Sequence, residues 1–410
     1  MGAFLNILTF NCGSSSLTFK VFSVDQVGKI GVVLSGKAHR VGVKGSKPSS
    51  IEYDRGGVRE SIETPLDDHG QAAVLVLDKL GELGIKLDCI GHRWVHAAGY
   101  FQTAWVDNAL LARLKALVPI LPVHHPAILR VIYACRKALP GLPQYVTADG
   151  AFHSTIPACA YTYLLPEGLV KKYGFRKHGF HGLSYRYIVR KSAETLGIPL
   201  AGSRIVACHL GTGGSSAVAV KDGESVDTSM GYTALSGLVM STRSGDIDPI
   251  LTLYLMAVYG YHPDDLMDML NKKSGLLGIS GFSSDIRDII QRVGEDPQAK
   301  LAFEMYVYRL KKYIGSYVAV LGGVDALVFT DDIGVHNWLV REKVCEGMDW
   351  CGVRLDAEAN QRASGDEIAR LDAPDSKVRV LIVPTEEELV ICWEGIALMK
   401  GKKDAASLRS

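Results

Sequence analysis

Apolar and polar positions along the chain fall into two rhythms, and the same short phrase occurs twice. Phe4–Phe10 is an apolar run suited to a buried strand. Leu17-Thr18-Phe19-Lys20-Val21-Phe22 alternates with period two, as a half-buried strand does. Between them lies the polar turn Asn11-Cys12-Gly13-Ser14-Ser15-Ser16. About half a chain later, Arg204–Cys208 is again a short apolar strand. It leads into His209-Leu210-Gly211-Thr212-Gly213-Gly214-Ser215-Ser216, and Ala217–Val220 continues as a strand. Further strands are expected over Ile30–Ala38, Ile51–Tyr53, Cys89–Val95, Tyr145–Ala148, Ala326–Thr330 and Val378–Val383. Helical periodicity marks Gln71–Leu83, Leu110–Leu117, Ser184–Leu196 and a long segment from Pro297 to Gly322-Gly323. Pro126 and Pro249 sit where a first helical turn tolerates proline, Pro249 behind an Asp248 cap. Thr385 with Glu388 three residues later reads as a capping box opening a C-terminal helix.

Each Gly/Ser turn supplies hydroxyls and backbone N–H groups that can converge on an anion. Two such turns, placed face to face by an internal duplication, would hold a phosphate chain between them. That is the logic of the actin, Hsp70 and sugar-kinase architecture. Other polar groups stand at strand ends and helix starts, where ligands collect in α/β folds. Arg93 lies in an apolar strand with His92 and His96, and a buried guanidinium requires an anion; a ligand is favoured over a structural carboxylate. His124 precedes Pro126, and Asp149 ends a strand. Gly179-Phe180-His181-Gly182 makes a tight turn before a helix, Arg243 lies in the loop before Pro249, and Glu386 and Glu387 are first-turn acids. No Cys–His or Ser–His–Asp set stands out, which suits phosphoryl transfer, a reaction run by positioning and charge neutralisation.

Composition narrows the field. A chain of 410 residues exceeds one core, so two domains are expected. A net charge of +1 argues against nucleic acid as a partner. Eight cysteines without paired spacing fit a reducing compartment. With no membrane-length apolar run and no leader-like start, a cytoplasmic protein without a membrane partner is expected.

The ordered set of motifs resembles the acetate/propionate kinase family from roughly Phe4 to Leu398. It comprises Asn11–Ser16, Gly91-His92-Arg93, His124 before Pro126, Asp149 before Ala151-Phe152-His153, Gly179–Gly182, His209-Leu210-Gly211, Thr242–Pro249, and Pro384-Thr385 with Glu387-Glu388-Leu389. The resemblance implies an α/β protein with a duplicated ribonuclease-H-like, two-domain fold, the domains being 1–152 plus 387–410 and 153–386. It implies a homodimer that moves a phosphoryl group reversibly to a short-chain carboxylate with Mg²⁺. Arg93 and Arg243 would clamp carboxylate and phosphoryl group, His181 with His124 would hydrogen-bond the moving group, and Asp149 would position the carboxylate or hold the metal. Asn11 and Glu387 would complete the metal site. Val95, Val123, Phe180 and Ala234 would form the acyl pocket, opened towards acids such as propionate because Ala234 stands where the family usually has Pro. Asn11, Ser14, Ser16, His209, Gly211, Thr212 and Gly213 would bind phosphate.

Departures from the family's usual pattern concern the phosphoryl donor. Thr18 stands where Lys is usual, and Lys20 lies about 6–7 Å further along the same strand face. Thr212 replaces an Asn. Asp331 and Asp332 replace the small residues that floor the adenosine pocket, although Asp285 and Arg287 match its adenosine side. Acidic bulk there would reject a nucleoside polyphosphate. The pattern is similar to the family's pyrophosphate-using branch, so acetate with pyrophosphate, and acetyl phosphate with phosphate, are the expected substrates. An ordinary ATP/ADP-dependent acetate or propionate kinase is the alternative, and a non-catalytic member of the fold a further one.

Overall fold

In this computed structural model, residues 5–43, 45, 47–95, 102–118 and 124–401 are described. The chain divides into two compact units, Met1–Ala151 with Glu386–Ser410, and Phe152–Thr385.

The first unit is built on an eight-stranded sheet. Its strands are β1 (Leu5–Cys12), β2 (Ser16–Val24), β3 (Ile30–His39), β4 (Ser50–Arg55), β5 (Val58–Glu63), β6 (Cys89–Trp94), β7 (Ala104–Trp105) and β8 (Gln144–Ala148). Their order is β5-β4-β3-β2-β1-β6-β8-β7. β1, β2 and β3 form an antiparallel meander, and β6 and β8 add parallel to β1. Strands buried on both faces read as unbroken apolar runs, which is why β1 and β8 carry little alternation, whereas β2 shows it clearly. The helices His69–Glu82, capped by Asp68, and His125–Ala138 pack with this sheet, as does Glu387–Met399 from the far end of the chain.

The second unit repeats the plan with β9 (Arg204–Leu210), β10 (Ser215–Lys221), β11 (Glu224–Thr228), β12 (Ala326–Thr330), β13 (Ala369–Arg370) and β14 (Arg379–Ile382). The order is β11-β10-β9-β12-β14-β13. Again three strands form an antiparallel meander and two add parallel to its first strand. This shared order is the ribonuclease-H-like plan, present once in each unit. The 25-residue helix Pro297–Leu321, capped by Asp296, supplies Phe303, Tyr306, Leu310, Ile314 and Tyr317 to the core under this sheet.

One feature departs from the sequence reading. The capping box does not form: Glu386 is the N-cap of Glu387–Met399 and makes no side-chain cap, and Thr385 Oγ1 is buried with no hydrogen-bond partner among the described residues. The helix Pro249–Tyr259 buries none of its residues. Ile250, Leu251, Leu253, Tyr254, Val258 and Tyr259 are all more than half exposed. No helix among the described residues is long and apolar enough to cross a membrane.

Candidate functional site

Two polar clusters stand at the carboxyl ends of the parallel strands, one in each unit. In the first, β1, β6 and β8 end side by side. Phe10 pairs with His92, and Arg93 with Thr147, so Asn11, Arg93 and Asp149 emerge at one edge. Arg93 Nη2 lies 2.7 Å from Asp149 Oδ2, and Nε 3.2 Å from both carboxylate oxygens. Arg93 Nη1 donates to Asn11 Oδ1 and to Glu387 Oε2, each at 2.9 Å. Asn11 Nδ2 donates to Glu387 Oε2 at 2.8 Å and to Glu388 Oε1 at 3.0 Å. Burial works against the Arg93 charge, yet Asp149 and Glu387 outweigh it and hold the guanidinium firmly protonated. Burial pushes the Glu388 carboxyl upward, a shift that Lys20 opposes. In the structure the Arg93 charge already has partners of its own. Its charge is met by the chain's own carboxylates, because strand register delivers Asp149 within reach.

The turn of this unit is a tight hairpin, with Gly13 N donating to Ser16 O at 2.9 Å. A Cβ at Gly13 would crowd Ser16 Oγ. Ser14 is exposed and Ser16 half-buried at its rim. Val95 is buried beyond β6. His124 occupies the N-cap position of His125–Ala138 without a side-chain capping bond. Val123 lies outside the described residues.

The second cluster is assembled by the register of β9, β10 and β12. Ser216 and Thr330 both pair with His209. His181 holds a left-handed backbone (φ 59°) at the start of the helix Gly182–Leu196, and its ring stacks on His209 with centroids 4.0 Å apart. His181 Nδ1 lies 2.8 Å from Ser216 Oγ, which is also held by Tyr185. His209 Nε2 lies 2.9 Å from Asp331 Oδ2, and its Nδ1 2.9 Å from Ser184 Oγ. With the Nε2 proton turned to Asp331, Nδ1 accepts from the Ser184 hydroxyl. Asp331 is itself left-handed (φ 63°) and starts the helix Asp331–His336. Its carboxylate rests on the glycine turn, where a Cβ at Gly211 would collide with it. Gly211 is buried, whereas Thr212 and Gly213 are exposed, and Ser241 Oγ donates to Thr212 O.

Arg243 approaches Gly214 so closely that a Cβ there would lie 2.9 Å from Arg243 Nη1. Its described contacts are the Ala234 carbonyl at 3.3 Å and Met240 Sδ at 3.8 Å, and it forms no ion pair among the described residues. Burial lowers its pKa, with no carboxylate to counter the effect. Phe180 is fully buried, its carbonyl bound to His153.

Asp285 caps the helix Ile286–Arg292 and also grips the Arg287 guanidinium at 2.6 Å. Arg287 in turn reaches Asp332 at 3.4 Å. The two acids of the Asp331-Asp332 pair thus face different partners, Asp331 the glycine turn and Asp332 an arginine. Sequence reasoning missed Ser184, Tyr185 and Ser216, which orient the two stacked histidines. The available signal for Ser216 was its place at the end of the second Gly/Ser turn; its pairing with His209 comes from strand register.

Among the described residues no three His, Cys, Asp or Glu side chains converge as a ready-made metal cage. The donor set in the first unit fits Mg²⁺ nonetheless. That ion keeps several waters and needs only one or two carboxylates alongside substrate phosphates. Glu386, Glu387, Glu388 and Asp149 outnumber Lys20 and Arg93 by two charges there.

Comparison with known proteins agrees over almost the whole chain. Residues 6–393 match the acetokinase family. Acetate kinase from Caldicellulosiruptor bescii is 44% identical over 399 residues, 95% of this chain and 98% of that protein. Acetate kinase from Dictyoglomus turgidum is 42% identical over 409 residues, 97% of this chain and 98% of that protein. The crystal structure of acetate kinase from Entamoeba histolytica superposes with a TM-score of 0.85 at 42% identity, covering 96% of this chain and all of that one. The repeated strand order, the two strand-end clusters and these full-length matches lead to one conclusion: the chain belongs to the acetokinase family.

Proposed function

We propose that this acetate kinase homologue exchanges a phosphoryl group between a short carboxylate and pyrophosphate rather than ATP. Family membership carries the coarser statement, a kinase acting as a carboxylate phosphotransferase. The choice of donor rests on one observation: the Asp331 carboxylate lies on the Gly211 turn, paired with His209. A fixed negative charge at a phosphate turn repels a further phosphate laid along it, and its bulk competes for the space. A shorter donor needs less of that turn.

In this reading Arg243 meets the phosphate charge that no carboxylate in its surroundings neutralises. His181, oriented by Ser216, donates to the equatorial oxygens of the transferring group. Asn11, Ser14, Ser16, Gly211, Thr212 and Gly213 supply further phosphate contacts. Arg93 and Asp149 position the carboxylate, with His124 assisting. Val95, Val123, Phe180 and Ala234 enclose its alkyl end. Asn11 and Glu387 hold Mg²⁺, which neutralises phosphate charge when bound. A carboxylate oxygen attacks phosphorus, the bridging P–O bond of pyrophosphate breaks, and phosphate leaves, giving the acyl phosphate. An already ionised carboxylate requires no strong general base.

The observation favouring ATP is the Asp285–Arg287 pair, which the family resemblance places on the adenosine side. One assay separates the readings. With acetyl phosphate as donor, phosphate is expected to be the better acceptor than ADP; equal or faster turnover with ADP would discard the pyrophosphate reading. We also propose a homodimer, with the uncovered apolar helix Pro249–Tyr259 meeting a second copy. Light scattering should give twice the chain mass, and Leu253→Glu should lower it to one.

A further inference from the structure

The Gly/Ser turn of the first unit is followed on β2 by a lysine that does not serve that turn. Thr18 and Lys20 are half-buried positions alternating with buried Leu17 and Phe19. Lys20 Nζ lies 2.9 Å from Glu386 Oε1 and 4.0 Å from Glu388 Oε2. Its side chain is only 23% exposed, and that of Glu388 10%. Glu388 also accepts from Asn11 Nδ2, the same amide that bonds Glu387. A single connected network therefore runs from Lys20 through Glu386 and Glu388, across Asn11, to Glu387, Arg93 and Asp149. It contains four carboxylates and two fixed cations.

We propose that Lys20 is a positioning residue that sets the cation affinity of the Asn11–Glu387 site by its charge, holding Glu386 and Glu388 out of competition for the metal. This rests on the reading that Asn11 and Glu387 hold Mg²⁺. The physical reason is proximity under partial burial. Charges separated by a few ångströms and shielded from water interact several-fold more strongly than they do in bulk solvent. With Lys20 present, the network exceeds neutrality by two negative charges, the amount one divalent cation balances. Without Lys20 the excess is three, and Glu386 and Glu388 become available as extra ligands. The cation then binds more tightly and its release slows. Lys20 thus leaves the site strong enough to recruit a cation and weak enough to exchange it along with phosphate ligands.

The test is a Mn²⁺ titration of the substrate-free protein, followed by electron paramagnetic resonance, so that turnover plays no part. Lys20→Met should tighten Mn²⁺ binding about tenfold. Glu386→Gln, which removes one negative charge from the same ion pair, should loosen it several-fold. Lys20→Arg should remain within about twofold of the parent. A purely structural bridge would make Lys20→Met and Glu386→Gln shift in the same direction, and that result overturns the inference while leaving the metal site standing. If the parent binds no Mn²⁺, the metal reading falls and this inference falls with it. Circular dichroism on each variant checks folding; should Lys20→Met fail it, Lys20→Gln carries the same expected sign.

Discussion

The two units share one strand plan and end it in different arrangements of charge. At the carboxyl ends of β1, β6 and β8, Arg93 is met by Asp149, Glu387 and Asn11, and acids are in excess. At the ends of β9 and β12, Arg243 has no acid among the described residues, and two histidines stack beside it. A duplicated scaffold thus ends one edge in a carboxylate-rich network and the other in stacked histidines beside an arginine. The backbone repeats; the function lies in a few side chains placed on it.

Replacing the arginines sharpens that contrast most. Arg93→Ala should lower turnover about a thousandfold. It should also cost about 3–5 kcal/mol of stability in urea unfolding, because buried Asp149 and Glu387 lose their ion pair with the guanidinium. Arg243→Ala should lower turnover about a hundred- to a thousandfold with little change in unfolding midpoint, since no carboxylate loses its partner. A matching loss of stability in both variants would break the comparison.

Acid should affect the two units alike. Burial pushes His92 in the first unit and His153 in the second down to about 4. Both are neutral when folded, whereas the unfolded chain takes up protons near 6.5. The unfolded state therefore binds more protons between pH 6.5 and 4, and stability falls as pH drops through that window. Each histidine contributes about 3 kcal/mol at most. His92→Gln should flatten part of that slope in unfolding measured from pH 7 to pH 4; an unchanged slope would remove His92 from the acid response.

Smaller effects concern the donor turn. Asp331→Gly should improve ADP use about tenfold, through loss of a charge beside phosphate. Asp332→Gly should change ADP use less, about threefold, since its carboxylate is turned to Arg287. The reverse ranking would relocate the obstruction to Asp332.

Much of this was legible without coordinates. Apolar runs located β1, β9 and β10, period-two alternation located β2, and proline and aspartate placement located the helix starts at Pro249 and Pro297, because those signals are local. The capping box at Thr385 failed for the same reason in reverse. Glu388 has the right spacing, but Asn11 and Lys20 draw its carboxylate elsewhere, and no local pattern encodes partners more than 350 residues away.

The sequence by itself determined the repeated strand-turn-strand plan, the arginines, histidines and acids available, and the family. Tertiary structure alone decided which charges meet. Strand register brought Asp149 to Arg93 and Asp331 to His209, while Arg243 meets no acid among the described residues. Pairing of that kind depends on which strand ends lie side by side, a property of the folded sheet rather than of any stretch of chain.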